Sequence, residues 1–405
     1  MSVVVQKFGG SSVATPDLIK HVAGRVAAAR DRGHDVVVVV SAPGDTTDDL
    51  IAMARQITTT PDAREMDMLL STGEQVSISL LAMALQTRGY PAVSLTGGQA
   101  QIRTEPVHLR ARILRVDRGR LERELAAGRI VIVAGFQGTT EAGEITTLGR
   151  GGSDTTAVAL ASALGAEICQ IYTDVEGVFT ADPRVVPTAR KLREISYDEM
   201  LEMASTGALV LQTRAAELAK QYQVPLEVRS TFVDRGGTVV TDNASERRRL
   251  VTAVTHDRNV AKIAATGIQD RPGIAHTLFQ AIADRHVNVN LIIQSVPKAQ
   301  GADISFTVAR TDMTAAVEAA RSVAEEIGAR DILADDGVAM VSLVGAGMIT
   351  NPGVAARMFG ALARGGINIE LIATSEIKIS CVVRADEVEA AVRILHAEFK
   401  MDEED

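Results

Sequence analysis

The sequence predicts a three-layer α/β/α sandwich around a mainly parallel central sheet, followed by two copies of a smaller βαββαβ unit. Two observations carry this. From Val3 to about Asn243, short β-branched runs alternate with alanine-rich helical stretches (Val36–Val40, Asp48–Ile57, Ile130–Val133, Thr155–Leu164, Cys169–Tyr172), the pattern of parallel strands covered by helices on both faces. Beyond about Ala244 the chain repeats itself at an offset of 80 residues: Arg271-Pro272-Gly273-Ile274-Ala275 lies over Asn351-Pro352-Gly353-Val354-Ala355, Phe279 over Phe359, and Val287–Ile292 over Ile367–Ile372. Each copy reads as strand, Pro-Gly helix start, helix, Asn-containing turn, strand, strand, helix, a ferredoxin-like unit used twice.

Composition narrows the available functions. A chain of 405 residues with net charge −9 and interspersed signs divides into several domains and offers no basic face to nucleic acid and no cationic cluster to a membrane. No apolar run approaches the length of a membrane span, and Ser2–Gln6 reads as a strand rather than a secretory leader. The expectation is a soluble, cytoplasmic protein whose partners are small molecules or its own copies. Cys169 and Cys381 sit inside β-branched runs and read as buried thiols.

The elements place the polar motifs at strand ends, where open α/β sheets bind ligands. The first strand delivers Lys7 to the sheet edge, and Phe8-Gly9-Gly10-Ser11-Ser12 leaves backbone N–H groups free to surround a phosphate ahead of a helix. Strand Val36–Val40 runs into Ser41-Ala42-Pro43-Gly44-Asp45-Thr46-Thr47-Asp48. Ser71-Thr72-Gly73-Glu74-Gln75 opens another helix, where Glu74 suits a ligand ammonium and serves equally as an ordinary cap. Ile130–Ala134 ends at Gly135-Phe136-Gln137-Gly138, a further loop suited to phosphate. In Thr146–Ala157, Arg150 has the fork for a carboxylate, Gly151, Gly152 and Ser153 present backbone donors, and Asp154 reads as a helix cap or as a carboxylate among phosphates and cations. Capping does not account for the Arg-Gly-Gly before it. Strand Cys169–Tyr172 leads into Thr173–Arg184, whose aromatic, acidic and basic residues suit a nucleotide and match an ordinary turn-rich loop.

Ser245–Arg249, charged and Arg-rich, marks the boundary before the repeats, and the acidic tail Asp402–Asp405 reads as a solvated end. A small unit with one open sheet face packs on its sister copy or on a second chain. Val344–Thr350 begins like a dinucleotide fingerprint but lacks the third glycine. A P-loop and the protein-kinase signatures are missing, and the histidines lack metal-ligand spacing.

Lys7-Phe8-Gly9-Gly10, Gly149–Thr156 and Thr374–Ser380 together make the chain resemble, over nearly its whole length, the monofunctional aspartate kinases of the amino-acid-kinase superfamily, which carry two C-terminal ACT domains. The resemblance implies an amino-acid-kinase domain over residues 1–244 and a first ACT domain over 259–335, nested in a second made of 250–258 and 336–400. It implies transfer of the γ-phosphoryl group of MgATP to the side-chain carboxylate of L-aspartate, the entry step to lysine, threonine and methionine. ATP and nucleotide-borne Mg2+ are the implied cofactors, lysine and/or threonine the feedback effectors, and a homo-oligomer joined through the ACT domains the assembly. By the same resemblance, Lys7 stabilises the phosphoryl group in flight while Asp154 organises lysine and magnesium. Arg150, beside Gly151, Gly152 and Ser153, holds the α-carboxylate; Glu74 takes the α-ammonium; Ser41, Asp45, Thr46 and Thr47 close the substrate and phosphate sites. Nucleotide contacts fall on Lys7, Phe8, Gly9, Gly10, Ser11, Tyr172, Thr173, Asp174, Asp182 and Arg184. Effector contacts fall on Asp270, Ile274, Ala275, Asn288, Gln294, Val354, Ala355, Asn368, Ile369, Ser375 and Glu376.

Three positions depart from common family choices: Leu209 stands where some members place a nucleotide-contacting lysine, and Ser11 and Pro43 replace Thr and Met. Two other functions compete. A kinase for glutamate or acetylglutamate is disfavoured by the tandem repeat and the Arg150 cluster. A non-catalytic amino-acid-binding regulator is disfavoured by the joint presence of Lys7, Glu74, Arg150 and Asp154.

Overall fold

The structure, a computed structural model, describes residues 2–208, 210–242, 250–269, 271–296 and 301–403. Leu209, Asp270, the boundary turn Ser245–Arg249 and the end of the acidic tail lie outside the described residues. The chain forms two compact units, one of residues 1–178, 191–204 and 209–246, the other of 179–190, 205–208 and 247–405.

In the first unit an eight-stranded sheet runs in the order Glu194–Ile195, Thr238–Val240, Leu226–Ser230, Ile168–Thr173, Val3–Phe8, Asp35–Val40, Ile130–Ala134, Ala92–Leu95. Every neighbouring pair is parallel except Leu226–Ser230 with Thr238–Val240. The β-branched runs form the centre because both faces are covered: Val36–Val40 and Ile130–Ala134 are buried throughout. Helices Pro16–Asp31 and Thr72–Thr87 close one face through Val22, Val26, Ile78, Leu81 and Leu85. Helix Gly152–Leu164 closes the other against Val3–Phe8 and Ile168–Thr173. A smaller four-stranded sheet, Ile113–Val116, Ile102–Thr104, Gln137–Thr139, Ile145–Thr147, stands beside them. The helical stretch Ala63–Thr87 is long and apolar enough to cross a membrane by length and composition, but half of that window is buried inside the protein, as in a core helix.

The second unit holds two four-stranded antiparallel sheets of matching order. In one, Val289–Gln294, Ala302–Ala309, Val260–Ile268 and Asp331–Asp335 lie side by side; in the other, Leu371–Thr374, Lys378–Arg384, Val338–Val344 and Ala253–Asp257. The second sheet thus takes its fourth strand from chain that precedes the whole first copy. Helices Ile274–Asp284 and Val354–Arg364 begin at equivalent Pro-Gly steps, with Gly273 and Gly353 at φ 98° and 101°, a left-handed conformation that glycine adopts without strain.

The expected division near residue 244 differs from the packing at two places, residues 179–190 and 205–208. Residues 179–190 cluster with the second unit because Ala181, Val185 and Val186 enter its core beside Val341, Leu343, Val392 and Leu395, and Thr180 Oγ1 shares a hydrogen bond with the buried His396 Nε2 (3.0 Å).

Candidate active site

A cleft of about 700 Å³ opens at the carboxyl ends of the central strands in the first unit. Strand Val3–Phe8 brings Lys7 to its floor, and the close approach that follows requires glycine: a Cβ on Gly10 would lie 2.9 Å from Ala42 O and 3.0 Å from Gly44 O. Helix Gly152–Leu164 begins one turn earlier than Thr155, so Asp154 lies inside its first turn and not at its cap. There Asp154 Oδ1 pairs with Lys7 Nζ at 2.6 Å, both side chains being largely buried. Gly151, at φ 74°, admits the close packing of Gln212, whose Cγ would sit 2.0 Å from any Cβ there, while Gln212 N–H donates to Asp154 Oδ2 (3.4 Å).

Glu74 is 2% exposed. Its Oε1 accepts from the Ala42 N–H (3.1 Å), whereas Oε2 is buried with no partner among the described residues. Burial raises its pKa to about 7, opposed only by hydrogen bonds from backbone N–H groups. The carboxylate thus lines the cleft with one oxygen uncommitted among the described residues. Arg150, exposed on the cleft wall, makes no ion pair or side-chain hydrogen bond to any described residue. The cleft thus offers an unsatisfied carboxylate and an unpaired guanidinium, with a lysine held by an aspartate between glycine loops.

Among the residues singled out from the sequence, Lys7, Gly9, Gly10, Ser11, Ser41, Thr47, Glu74, Arg150, Gly151, Gly152, Ser153, Asp154, Tyr172 and Thr173 all line this cleft. Phe8 lies beneath it, buried and stacked on Tyr172 at 4.6 Å between centroids. Thr46 turns its hydroxyl to Pro43 O (2.5 Å), Asp174 accepts from Thr173 Oγ1 (2.9 Å), and Asp45 is exposed at the start of its helix. Asp182 and Arg184 belong to the other unit and pair with each other (2.8 Å), the guanidinium hydrogen bonds holding the Asp182 carboxyl below its usual range.

Sequence reasoning missed Gln212, Arg55 and the buried Asp67. Asp67 accepts from Thr147 Oγ1 (2.6 Å), His108 Nδ1 (2.6 Å) and the Leu109 N–H (3.0 Å), and so fixes two segments of cleft wall. Asp67 lies mid-helix among polar and apolar residues alike, and only its full burial distinguishes it.

In the second unit, Ile274 and Val354 are buried first residues of equivalent helices, each followed by its alanine, Ala275 or Ala355. Asn288, Gln294, Asn368, Ser375 and Glu376 are exposed and Ile369 is half-buried. Glu370, next to Ile369, bridges the two repeats, pairing with Lys262 and with Arg384 (3.3 Å), which also holds Asp335 (2.7 Å).

Comparison with known proteins supplies the remaining context. A model described as the amino acid kinase family matches residues 2–230, and an ACT domain model matches residues 262–323 and 341–399. The aspartokinase of Geobacillus stearothermophilus is 53% identical over 405 residues, covering 100% of this chain and 98% of that protein. The crystal structure of Escherichia coli aspartokinase III in complex with aspartate and ADP (R-state) superposes with a TM-score of 0.82 at 28% identity, covering 98% of this chain and 99% of that one. Its lysine and aspartate complex (T-state) gives 0.76 over the same shares, again at 28% identity.

Proposed function

The chain belongs to the amino acid kinase family, and from that premise we propose how its cleft performs the reaction of an aspartate kinase. It transfers the γ-phosphoryl group of ATP to the side-chain carboxylate of L-aspartate and is feedback-regulated by lysine through its ACT domains. The observation that carries the assignment of roles is the pair of unsatisfied charges in one cleft. Glu74 Oε2, buried without a partner, faces a ligand ammonium, and the unpaired Arg150 fork holds an α-carboxylate. An α-amino acid satisfies both.

Lys7 lies between that amino-acid site and the glycine loop of Gly9, Gly10 and Ser11, where its ammonium neutralises charge on the phosphoryl group in transfer. Asp154, 2.6 Å away, keeps the lysine oriented. The attacking aspartate carboxylate is already an anion, so no general base is required, and positioning with charge neutralisation supplies the rate. Ser41 and Thr47, with Asp45 and Thr46 behind them, close the substrate end, and Gly151, Gly152 and Ser153 offer backbone donors. Phe8, Tyr172, Thr173 and Asp174 take the nucleotide; Asp182 and Arg184 join them on the resemblance to the family alone.

Among the described residues no cluster of three metal-ligating side chains occurs. Asp154 is the protein carboxylate that would stand beside a nucleotide-borne Mg2+, which would supply charge neutralisation to the phosphates.

Effector contacts are assigned to Ile274, Ala275, Asn288 and Gln294 in the first copy and to Val354, Ala355, Asn368, Ile369, Ser375 and Glu376 in the second, with threonine as a further candidate effector. The kinase domain is taken as residues 1–244 and the ACT domains as 259–335 and as 250–258 with 336–400. Association of chains through the ACT edges is supported by the edge strands Val289–Gln294 and Leu371–Thr374, which carry the exposed Ile292 and Ile372. The assembly is cytoplasmic.

Hydroxamate trapping with MgATP and L-aspartate, L-glutamate or N-acetylglutamate tests the assignment. Aspartyl hydroxamate alone, suppressed by lysine, is the expected product. Turnover of another substrate would reassign the cleft, and lack of turnover with unchanged lysine binding would make the chain a sensor without an enzyme.

A further inference from the structure

A second cavity, of about 630 Å³, lies in the catalytic unit on the face of the central sheet that carries helix Pro16–Asp31. Its floor is unlike the rest of that face. Following the strand register outward from the apolar centre, one row reads Ile132, Val38, Gln6, Gln170, Glu227 and the next Ala134, Val40, Phe8, Tyr172, Arg229. Buried glutamines in a central sheet are costly unless bonded, and these form a ladder: Gln6 Nε2 donates to Gln170 Oε1 and Gln170 Nε2 to Glu227 Oε2, both at 2.9 Å. The apolar helical cover ends at Tyr172, and over the polar rows the cavity opens.

Its walls are cationic. Arg25, Arg32, Arg88, Arg229, His21 and His34 line it, against Glu167 and Asp234, whose side chains are 59% and 89% exposed. Arg32 makes no side-chain hydrogen bond or ion pair to any described residue, and Arg88 spends one nitrogen on Lys20 O (3.1 Å). Arg229 Nη1 donates to Glu227 and Nη2 to Arg235 O (both 3.4 Å), while its Nε is buried with no partner among the described residues. Burial and the negative charge of Glu227 push the Tyr172 phenol up, while the positive charges of Arg229, Arg25 and Arg32 pull it back; Arg25 and Arg229 lie 5.7 and 5.9 Å from its ring centroid. Four guanidinium groups, of which one is unpaired among the described residues and another has a stranded N–H, outnumber three carboxylates: the solvated Glu167 and Asp234 and the floor's Glu227, 3.4 Å from Arg229.

We propose that this cavity is a second anion-binding site of the catalytic unit, built for a small molecule carrying two or more phosphate groups. The volume is that of a ligand pocket and exceeds what one phosphate fills. Arginine forks match phosphate oxygens bidentately, and their spread around the cavity from one helix, the end of another and an outer strand matches a charge distributed over more than one group. The site communicates with the cleft through two short routes. Tyr172 lines both cavities and stacks on Phe8. Arg25 Nε and His21 Nε2 donate to Thr231 O (2.6 and 2.9 Å), and Thr231 Oγ1 meets Ser12 Oγ (2.6 Å) at the base of the phosphate loop. Occupancy therefore shifts the apparent affinity for ATP, a consequence that rests on the aspartate kinase reading, whereas binding itself does not.

Calorimetric titration of the full chain with sodium tripolyphosphate at low salt tests the site, in the parent, in Lys7→Ala and in Arg32→Gln/Arg88→Gln. The expected result is a tripolyphosphate site that survives Lys7→Ala and is weakened at least tenfold by Arg32→Gln/Arg88→Gln, with inorganic phosphate binding it at least tenfold more weakly. Hydroxamate turnover of the double variant without tripolyphosphate, and the single variant Arg32→Gln, verify that the fold is intact. A double variant that binds as tightly as the parent, or a parent site lost in Lys7→Ala, overturns the proposal. Equal affinity for inorganic phosphate would reduce it to a single-anion site and refute the class of ligand. A fall in light-scattering mass on making the double variant would give this face to a second copy of the chain.

Discussion

The catalytic and regulatory units handle charge in opposite ways. In the first, the charges that matter are incompletely satisfied among the described residues: the buried Glu74 keeps a partnerless oxygen, the exposed Arg150 has no pair, and Lys7 and Asp154 share one close contact under little solvent. In the second, Lys262, Glu370, Arg384 and Asp335 satisfy one another across the two repeats. Unsatisfied buried charge costs stability and is retained where a ligand completes it; satisfied, partly exposed charge holds two packed copies in register. The first unit leaves charge uncommitted at its cleft, and the second pairs these four charges across its repeats.

The comparison breaks most easily at Lys7. Lys7→Ala removes the cation paired with Asp154 and is expected to lower kcat about a hundredfold, near 3 kcal/mol of transition-state stabilisation, with a much smaller change in KM for aspartate. A turnover loss of less than a few-fold would show that the charge is not used in transfer.

A second test uses pH. Glu74 has a folded pKa raised above its ordinary value to about 7, so the empty protein favours the protonated form and loses that contribution to stability as pH rises from near 4.5 through 7. A ligand ammonium needs the carboxylate. Below pH 7 binding must therefore expel a proton, and KM for aspartate should rise about tenfold per pH unit. Glu74→Gln should raise KM at neutral pH and abolish the slope; a parallel slope in the variant would assign it elsewhere.

The smallest effect is expected in the regulatory unit. Glu370→Gln leaves Lys262 and Arg384 with a neutral acceptor, which should cost roughly 1 kcal/mol by thermal unfolding and loosen lysine inhibition a few-fold without altering kcat. Loss of catalysis in this variant would mean that the repeats do more than sense effector.

Much of this was legible in the sequence because the relevant physics is local. The strand-glycine-glycine step after Lys7 and the Arg-Gly-Gly-Ser-Asp start of a helix demand backbone geometries that few residues tolerate, and both segments reach the cleft. The 80-residue repeat appeared in the sequence because each copy needs the same Pro-Gly helix start and the same buried face. Asp154 was legible as a residue but not as a role: two readings stood open until the helix was seen to start at Gly152. Asp67 and Gln212 were silent, since their work consists of partners more than 40 residues away along the chain. The nucleotide-suited loop read from the sequence ends at Arg184, yet its last residues continue into Val185 and Val186 and join the regulatory core together with Ala181, and nothing in the composition says which core they join.

The sequence by itself determined the alternation of strands and helices, the glycine loops, the duplicated second half and the family, because propensity, periodicity and close backbone approach act over a few residues. Only the tertiary structure decided which charges meet. Lys7 and Asp154 are brought to 2.6 Å by strand order, Glu74 is deprived of water by its neighbours, and arginines from three distant segments share a cavity above a polar sheet row. Burial and distance set the strength of an electrostatic interaction, and neither is a property of a residue until the chain has folded.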